Sequence, residues 1–280
     1  MRLSRYVWIA FVSMSGVPAA ARLAAAQVVL LQIKPRTGDT LRMRLDQQTE
    51  MTGVKRTSNG EANAMMMSSM VMFSRAIVEG SAEHWTNVLA VTDSVLMTST
   101  DERSRKAIDQ ATAQMRGQRV RFRVSPDGTV GMDGSADPAT REVEQVVSLM
   151  PAAFPKAAIK VGDNWSREMP LPMGSQFGAE LTGRLRVTFR FDSLTHNGGW
   201  AYVSMRGETQ PATGPGSATG AVLEKGLVTG TMLLDQHRRW LAESWFNIVV
   251  TSTLAPVASG SGATHMQMKI TQHMHTLEKR

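Results

Sequence analysis

The stretch Gly226–Leu254, GLVTGTMLLDQHRRWLAESWFNIVVTSTL, constrains the fold more than any other part of the chain. It reads as two long strands joined by a polar turn at Asp235-Gln236-His237-Arg238-Arg239. Along a strand, successive side chains point to opposite faces. Trp240, Ala242, Phe246, Ile248, Val250 and Leu254 therefore share one side, with Glu243, Asn247, Thr251 and Thr253 on the other. The pattern predicts one buried face and one wet face, as in an antiparallel sheet packed on one side only.

The same alternation recurs along the chain. Leu41, Met43 and Leu45 alternate with Arg42, Arg44 and Asp46; Val120, Phe122 and Val124 with Arg119, Arg121 and Arg123; Leu185, Val187, Phe189 and Phe191 with Arg184, Arg186, Thr188 and Arg190. Turn signals separate these runs at Gly38-Asp39, Ser58-Asn59-Gly60, Gly80-Ser81, Pro126-Asp127-Gly128 and His196-Asn197-Gly198-Gly199. Residues 64–78, AMMMSSMVMFSRAIV, are rich in methionine and apolar on both faces, and a last strand is expected from Thr264 to Met274. Two helices are predicted. One is capped by Thr100, with Asp101 and Glu102 in its first turn and Gly117 after its end, and has a thin apolar stripe suited to the surface. The other is capped by Asp137, with Pro138 at its first position and Val143, Val146, Val147 and Met150 on one face. The expected fold is mainly β (α+β), a strongly curved antiparallel sheet or half-barrel with a helix over its mouth or edge. Ile33-Lys34 before Gly38-Asp39 and Ile159-Lys160 before Gly162-Asp163 suggest two echoing halves, 37–150 and 151–278, within one domain over 37–278.

The first residues read as a leader. Arg2 and Arg5 precede the interrupted apolar run Tyr6–Ala21, and Ala24-Ala25-Ala26 supplies small residues for cleavage before Gln27. A membrane anchor needs about 20 consecutive apolar residues, which this run lacks. Residues 1–26 are thus read as a secretory signal and 27–36 as a short lead. The absence of cysteine excludes a lipobox anchor, disulfides and thiolate chemistry, and in an exported protein it points to a bacterial envelope, periplasmic or extracellular. Loss of Arg2, Arg5 and Arg22 with the leader lowers the net charge from +7 to about +4, too small an excess to suggest nucleic acid as a partner.

Phe154-Pro155 through Ile159-Lys160-Val161-Gly162-Asp163-Asn164-Trp165 resembles the "FP…VKVGDxW" entry of DUF6263, a family of bacterial envelope proteins of unknown function. Gly230-Thr231-Met232-Leu233-Leu234-Asp235 through Leu241-Ala242-Glu243-Ser244 is similar to that family's later hairpin. The resemblance implies a curved-sheet envelope protein of the lipoprotein-carrier kind and transfers no catalytic residues.

No nucleophile elbow, zinc-protease helix or phosphate cradle is present, and neither catalytic residues nor a cofactor is expected. Methionine suits a cavity for apolar ligands of variable shape, because its thioether side chain is flexible and polarizable. Met66, Met70, Met72, Phe189, Phe191, Trp240 and Phe246 are the candidates for lining a groove that holds a lipid-like or other hydrophobic ligand. As a second reading, Arg121, Arg123, Arg184 and Arg186 would form a basic sheet face for anionic envelope polymers, if their strands are neighbours, as in a structural or adhesion protein. A third is copper at HMQMKITQHMH, residues 265–275. There Met266, Met268, Ile270 and Met274 fall on one face and His265, His273 and His275 on the other, with His265 and His273 about 27 Å apart. Only His273 and His275 could meet one ion, at what reads as a fraying terminus, so no metal ligand is assigned.

Overall fold

The computed structural model describes residues 27–57, 60–82, 84–132, 154–170, 183–195, 197–211, 221–254 and 264–277. The predicted leader and the predicted helix beginning at Asp137 lie outside the described residues. The strands are β1 (Val28–Val29), β2 (Thr40–Thr57), β3 (Gly60–Ser81), β4 (Thr86–Ser99), β5 (Arg119–Val124), β6 (Val130–Met132), β7 (Ile159–Lys160), β8 (Asn164–Pro170), β9 (Gly183–Leu194), β10 (Trp200–Pro211), β11 (Ala221–Asp235), β12 (Trp240–Leu254) and β13 (Thr264–Leu277). One helix, α1 (Arg105–Met115), is described.

Among the described residues, eleven strands form one sheet in the order β6-β5-β4-β3-β2-β13-β12-β11-β10-β9-β8, antiparallel throughout. The order is sequential on each side of one seam, where β2 pairs with β13. β6 and β8 are its edges, so the sheet is curved but not closed into a barrel. Its buried residues form a single cluster drawn from both flanks, including Phe122 and Val124 of β5 and Leu185, Phe189 and Phe191 of β9. Strands so far apart in the order share a core only if the sheet curls around it.

Alternation places the core as the sequence predicts in β2, β5 and β9. Leu41, Met43 and Leu45 are buried, β5 alternates exposed and buried throughout, and Phe189 and Phe191 are 0% exposed. Burying each such phenylalanine contributes roughly 1.5–3 kcal/mol. β12 departs from simple alternation. Leu241 pairs with Leu234 and Glu243 with Leu233, so Ala242 is an extra residue and the inward set changes parity. Leu241, Ser244, Phe246, Ile248 and Val250 are buried, whereas Ala242, expected inside, is only half-buried.

β10 and β11 carry glycine on the inward face, at Gly207, Gly226 and Gly230. A Cβ on Gly230 would press on the Trp245 carbonyl oxygen and lie 2.5 Å from Met205 Cε, while one on Gly226 would collide with Thr209. Neighbouring side chains fill the space these residues leave, which lets the backbones approach and the sheet coil.

The lead segment is part of the core and not a peripheral tail. Leu31 and Ile33 are buried, and β1 pairs with β7 in a separate two-stranded ribbon. Ile33 N–H donates to Pro126 O (2.8 Å), Lys34 N–H to Arg239 O (2.9 Å) and Phe154 N–H to Asp127 O (2.8 Å). These bonds tie the ribbon's flanks to the β5–β6 and β11–β12 turns and close that end of the curved sheet. Two matching turns hold it. Arg36 N–H donates to Asp39 Oδ2 and Lys160 N–H to Asp163 Oδ2, around Gly38 (φ 88°) and Gly162 (φ 96°). Gly38 N–H then donates to Val78 O and Val78 N–H to Asp39 O, as Gly162 N–H does to Phe191 O and Phe191 N–H to Asp163 O. Glycine is required at both positive-φ sites.

α1 is preceded by a 3₁₀ turn, Glu102–Ser104, capped by Asp101, whose side chain accepts from Arg103 N–H. Thr100, the expected cap, instead uses Oγ1 to accept from Met67 N–H (2.9 Å). The helix buries none of its own residues fully and packs against β4 near the β5–β6 edge; Gly117 (φ 74°) ends it.

Candidate functional site

Residues directly opposite one another in a pleated sheet share a face. Following pairs across the sheet at mid-height gives one inward row: Phe189, Met205, Gly230, Phe246, Gln272, Gln47, Met70 and Met97. The groove candidates thus divide into two groups. Phe189, Phe191 and Phe246 are packed in the β9–β12 half, where Phe189 stacks on Trp165 with ring centroids 5.6 Å apart. Trp240 is buried at the closed end. These aromatics are core; neither cavity described below touches them, nor does either touch Met66, Met70 or Met72.

Met66, Met70 and Met72 lie in the other half, and their environment differs. Met70 is buried, while Met66 and Met72 are partly exposed on the same inward face. Around them stand Met51, opposite both Met66 and Met268, Met97, opposite Met70, and Met266, opposite Gly53. Met51, Met97 and Met266 are also only partly buried. Four adjacent strands, β4, β3, β2 and β13, therefore present a thioether-lined inward surface that is incompletely covered. Methionines Met65 and Met67 point the other way; Met65 is 69% exposed. The run that reads as apolar on both faces is split by alternation into an inward and an outward set.

Two glutamines sit at the head of this surface. Gln272 is 1% exposed, and Gln47 faces it across the β2–β13 seam. The Oε1 atoms of both are buried and accept no hydrogen bond from the protein itself. An unpaired buried acceptor costs about 1–3 kcal/mol, so a pair of them in an apolar setting calls for a cause. The sequence reading passed over both. Gln272 falls in register with Met268, Ile270 and Met274, as Gln47 does with Leu41, Met43 and Leu45, and a polar residue on an otherwise apolar face was the available signal.

A cavity of about 560 Å³ opens at the closed end, lined by Leu30, Leu31, Trp85, Pro126, Pro155 and Asp127 among others. Burial pushes the Asp127 carboxyl up, but bonds from Ser125, from the Thr129 side chain and from Thr129 N–H, with Arg167 nearby, outweigh it and hold the group below 3.8. The carboxylate is thus spent on its own turn. A smaller hollow of about 330 Å³ involves Arg42, Phe73, Arg75 and Asp93.

The arginine rows do not merge. They lie on β2, β5 and β9, which are not neighbours in the sheet. Acids accompany them: Asp46 lies 2.7 Å from Arg44, Glu79 3.1 Å from Arg121, and Glu168 3.2 Å from Arg186. The Arg123 guanidinium lies over the Trp85 ring at 5.6 Å. The side chain of Arg184 is outside the described set. Separate groups of cations, with Arg44, Arg121 and Arg186 each paired to an acid, replace the continuous basic surface that neighbouring strands would have made.

In β13, Met268, Ile270 and Met274 are buried and His265, His273 and His275 face outward, so thioethers and imidazoles cannot share one ion. The strand does not fray at its histidines. It is paired through Leu277 on β2 and lies between β12 and β2 at the centre of the sheet. Asp46, unassigned in the sequence reading, joins His273 and His275, with one ligand atom of each within 4.8 Å of the others.

No protein-family model matches the chain, and no curated protein matches it in sequence. Its fold is similar to that in a structure of lipid–protein interactions in lipovitellin, at 12% identity and a TM-score of 0.50, over 88% of this chain and 26% of that one. The chain spans about a quarter of that protein's length. Two further structures overlap at TM-scores of 0.21: DynF from the dynemicin biosynthesis pathway of Micromonospora chersina (10% identity, 97% of this chain, 94% of that one) and an outer membrane channel of Pseudomonas putida F1 (9%, 87% and 97%). Among the described residues, no helix is long and apolar enough to cross a membrane.

Proposed function

We propose that this is an exported, non-enzymatic envelope protein that holds a lipid-like or otherwise hydrophobic ligand on the inward face of β4, β3, β2 and β13. Met51, Met66, Met72, Met97 and Met266 supply an adaptable apolar surface, which suits chains of variable shape. Gln47 and Gln272 supply the polar end: their Oε1 atoms accept from a hydroxyl or amide on the ligand. Phe189, Phe191 and Phe246 of the other half belong to the buried core cluster on which Met51, Met72 and Met97 pack.

The observation that carries this reading is the pair of buried, unpartnered glutamine acceptors within a thioether-lined face. Binding sites for small apolar molecules are typically apolar surfaces with a few placed polar groups. A shared fold with a structure concerned with lipid–protein interactions supports it at the level of architecture. The leader-like residues 1–26 and the absence of cysteine support export without a lipid anchor.

Native mass spectrometry of protein purified without detergent, with organic extraction of the bound fraction, tests the proposal. The expected result is a mass excess that extraction removes, and saturable uptake of a fluorescent naphthylamine probe by the extracted protein. If the protein carries no apolar molecule and takes up no probe, the reading fails. Sequencing of the secreted product checks export separately, with Gln27 expected first.

A further inference from the structure

The outer face of the seam carries a group of side chains that hydrophobic binding on the inner face does not use. In the outward register, His273 of β13 lies opposite Asp46 of β2 and Trp245 of β12, and His275 lies opposite Arg44 and Glu243. His273 and His275 are two residues apart on one strand, so both rings project from the same side, with centroids 5.2 Å apart. Backbone pairing on both flanks holds that spacing.

We infer that Asp46, His273 and His275 bind a borderline divalent transition-metal ion, Zn²⁺ or Cu²⁺, on the outer face of the sheet, with Glu243 positioning the His273 ring. One ligand atom from each of the three lies within 4.8 Å of the others, close enough for a single ion to draw them together. Two imidazoles and a carboxylate are nitrogen and oxygen donors of intermediate softness, which suit zinc and copper(II) better than calcium or magnesium. The site differs in kind from a thioether copper site, since the methionines of β13 are on the other face.

Three further observations support it. Glu243 Oε1 lies 2.7 Å from His273 Nε2. A carboxylate accepting from one ring nitrogen fixes the tautomer and leaves the lone pair on the other, the usual arrangement behind a metal-ligating histidine. His275 Nδ1 is buried and has no hydrogen-bond partner. Finally, the nearby cation is already held: Arg44 lies over the Phe73 ring at 5.5 Å, and both its bonds to Asp46 fall on Oδ1. Asp46 Oδ2 therefore accepts none of Arg44's bonds.

The experiment is calorimetric titration of the purified, untagged chain with Zn²⁺, paired with the imidazole NMR signals of the six histidines. Saturable one-to-one binding is expected, with the signals of His273 and His275 shifting and that of His265 unchanged. His273→Gln and His275→Gln should each weaken binding at least about tenfold, and Glu243→Gln by a comparable or smaller factor. Cu²⁺ should also quench Trp245, which is 42% exposed and opposite His273, and Trp245→Phe should remove that part of the quenching. Absence of saturable binding overturns the inference, as does saturable binding that leaves the His273 and His275 signals unmoved. The NMR measurement uses the unaltered protein, so it decides the matter even if a variant fails to fold.

Discussion

Replacing Gln272 with methionine separates the cost of an orphaned acceptor from its use. Gln272 is 1% exposed, and its Oε1 accepts no hydrogen bond from the protein itself. Leaving such an acceptor unpaired costs about 1–3 kcal/mol. Methionine has a similar length and volume, so no cavity opens, and its thioether tolerates the apolar surroundings. Against the gain stands whatever bond the amide nitrogen makes, worth roughly 0.5–1.5 kcal/mol. The net expectation for Gln272→Met is a stabilisation of about 1 kcal/mol. For a chain of this size that raises the unfolding midpoint by roughly 2–4 °C. Thermal unfolding of extracted, ligand-free protein, followed by circular dichroism, measures it. On the proposed reading, the same variant should retain less of the extractable apolar molecule on purification, because the polar anchor is gone. A midpoint lowered by several degrees would show that the glutamine is satisfied in the free protein, and the reasoning from an orphaned acceptor would be refuted.

Other changes address other parts of the structure. Gly230→Ala places a methyl against the Trp245 carbonyl oxygen, a backbone atom that cannot rotate away, so a loss of ~1–3 kcal/mol is expected in urea unfolding. Asp127→Asn weakens the charge-assisted bonds from Ser125 and Thr129 and, after allowance for solvent screening, should cost about 1 kcal/mol at neutral pH. Because the folded carboxyl titrates below its ordinary 3.8, the wild-type advantage is fully present above that pH and disappears as pH falls through the folded value; stability curves of the two proteins should converge in acid. Arg121→Ala removes an exposed, solvent-screened pair with Glu79 and should leave the unfolding midpoint essentially unchanged, with no effect on adsorption to anionic vesicles.

The sheet was legible in the sequence because its strands are one-sided. In β2, β5 and β9, cationic or polar residues alternate with apolar ones, and period two both identifies a strand and assigns its face. Where alternation is interrupted, the reading failed for a local reason. Ala242 was placed inside because one extra residue in β12 is invisible to a strict period, and only pairing with β11 reveals it. Strand order was also beyond reach. Whether the arginine rows combine depends on which strands adjoin, and nothing in Arg121 or Arg186 encodes that β5 and β9 lie on opposite flanks. The pairing of Asp46 with His273 required the same information, since the two residues are brought together by the meeting of β2 and β13. The lead was undervalued because Leu31 and Ile33 alternate over too few residues to stand out, although they complete the core.

The meeting of β2 with β13 has a consequence for biogenesis. A ribosome or a translocation pore delivers β2 early and β13 last, so the middle of the sheet is the final thing to be made. Until then the polypeptide consists of two stacks of hairpins, each ending in a long strand with a bare row of amides and carbonyls. Such rims invite pairing with a second molecule, and closing a loop of this length is slow. A chain cut short before Thr264 should therefore clump as sheet-rich aggregate rather than unravel, and an emerging intact chain should need a chaperone at its rims until the last strand arrives.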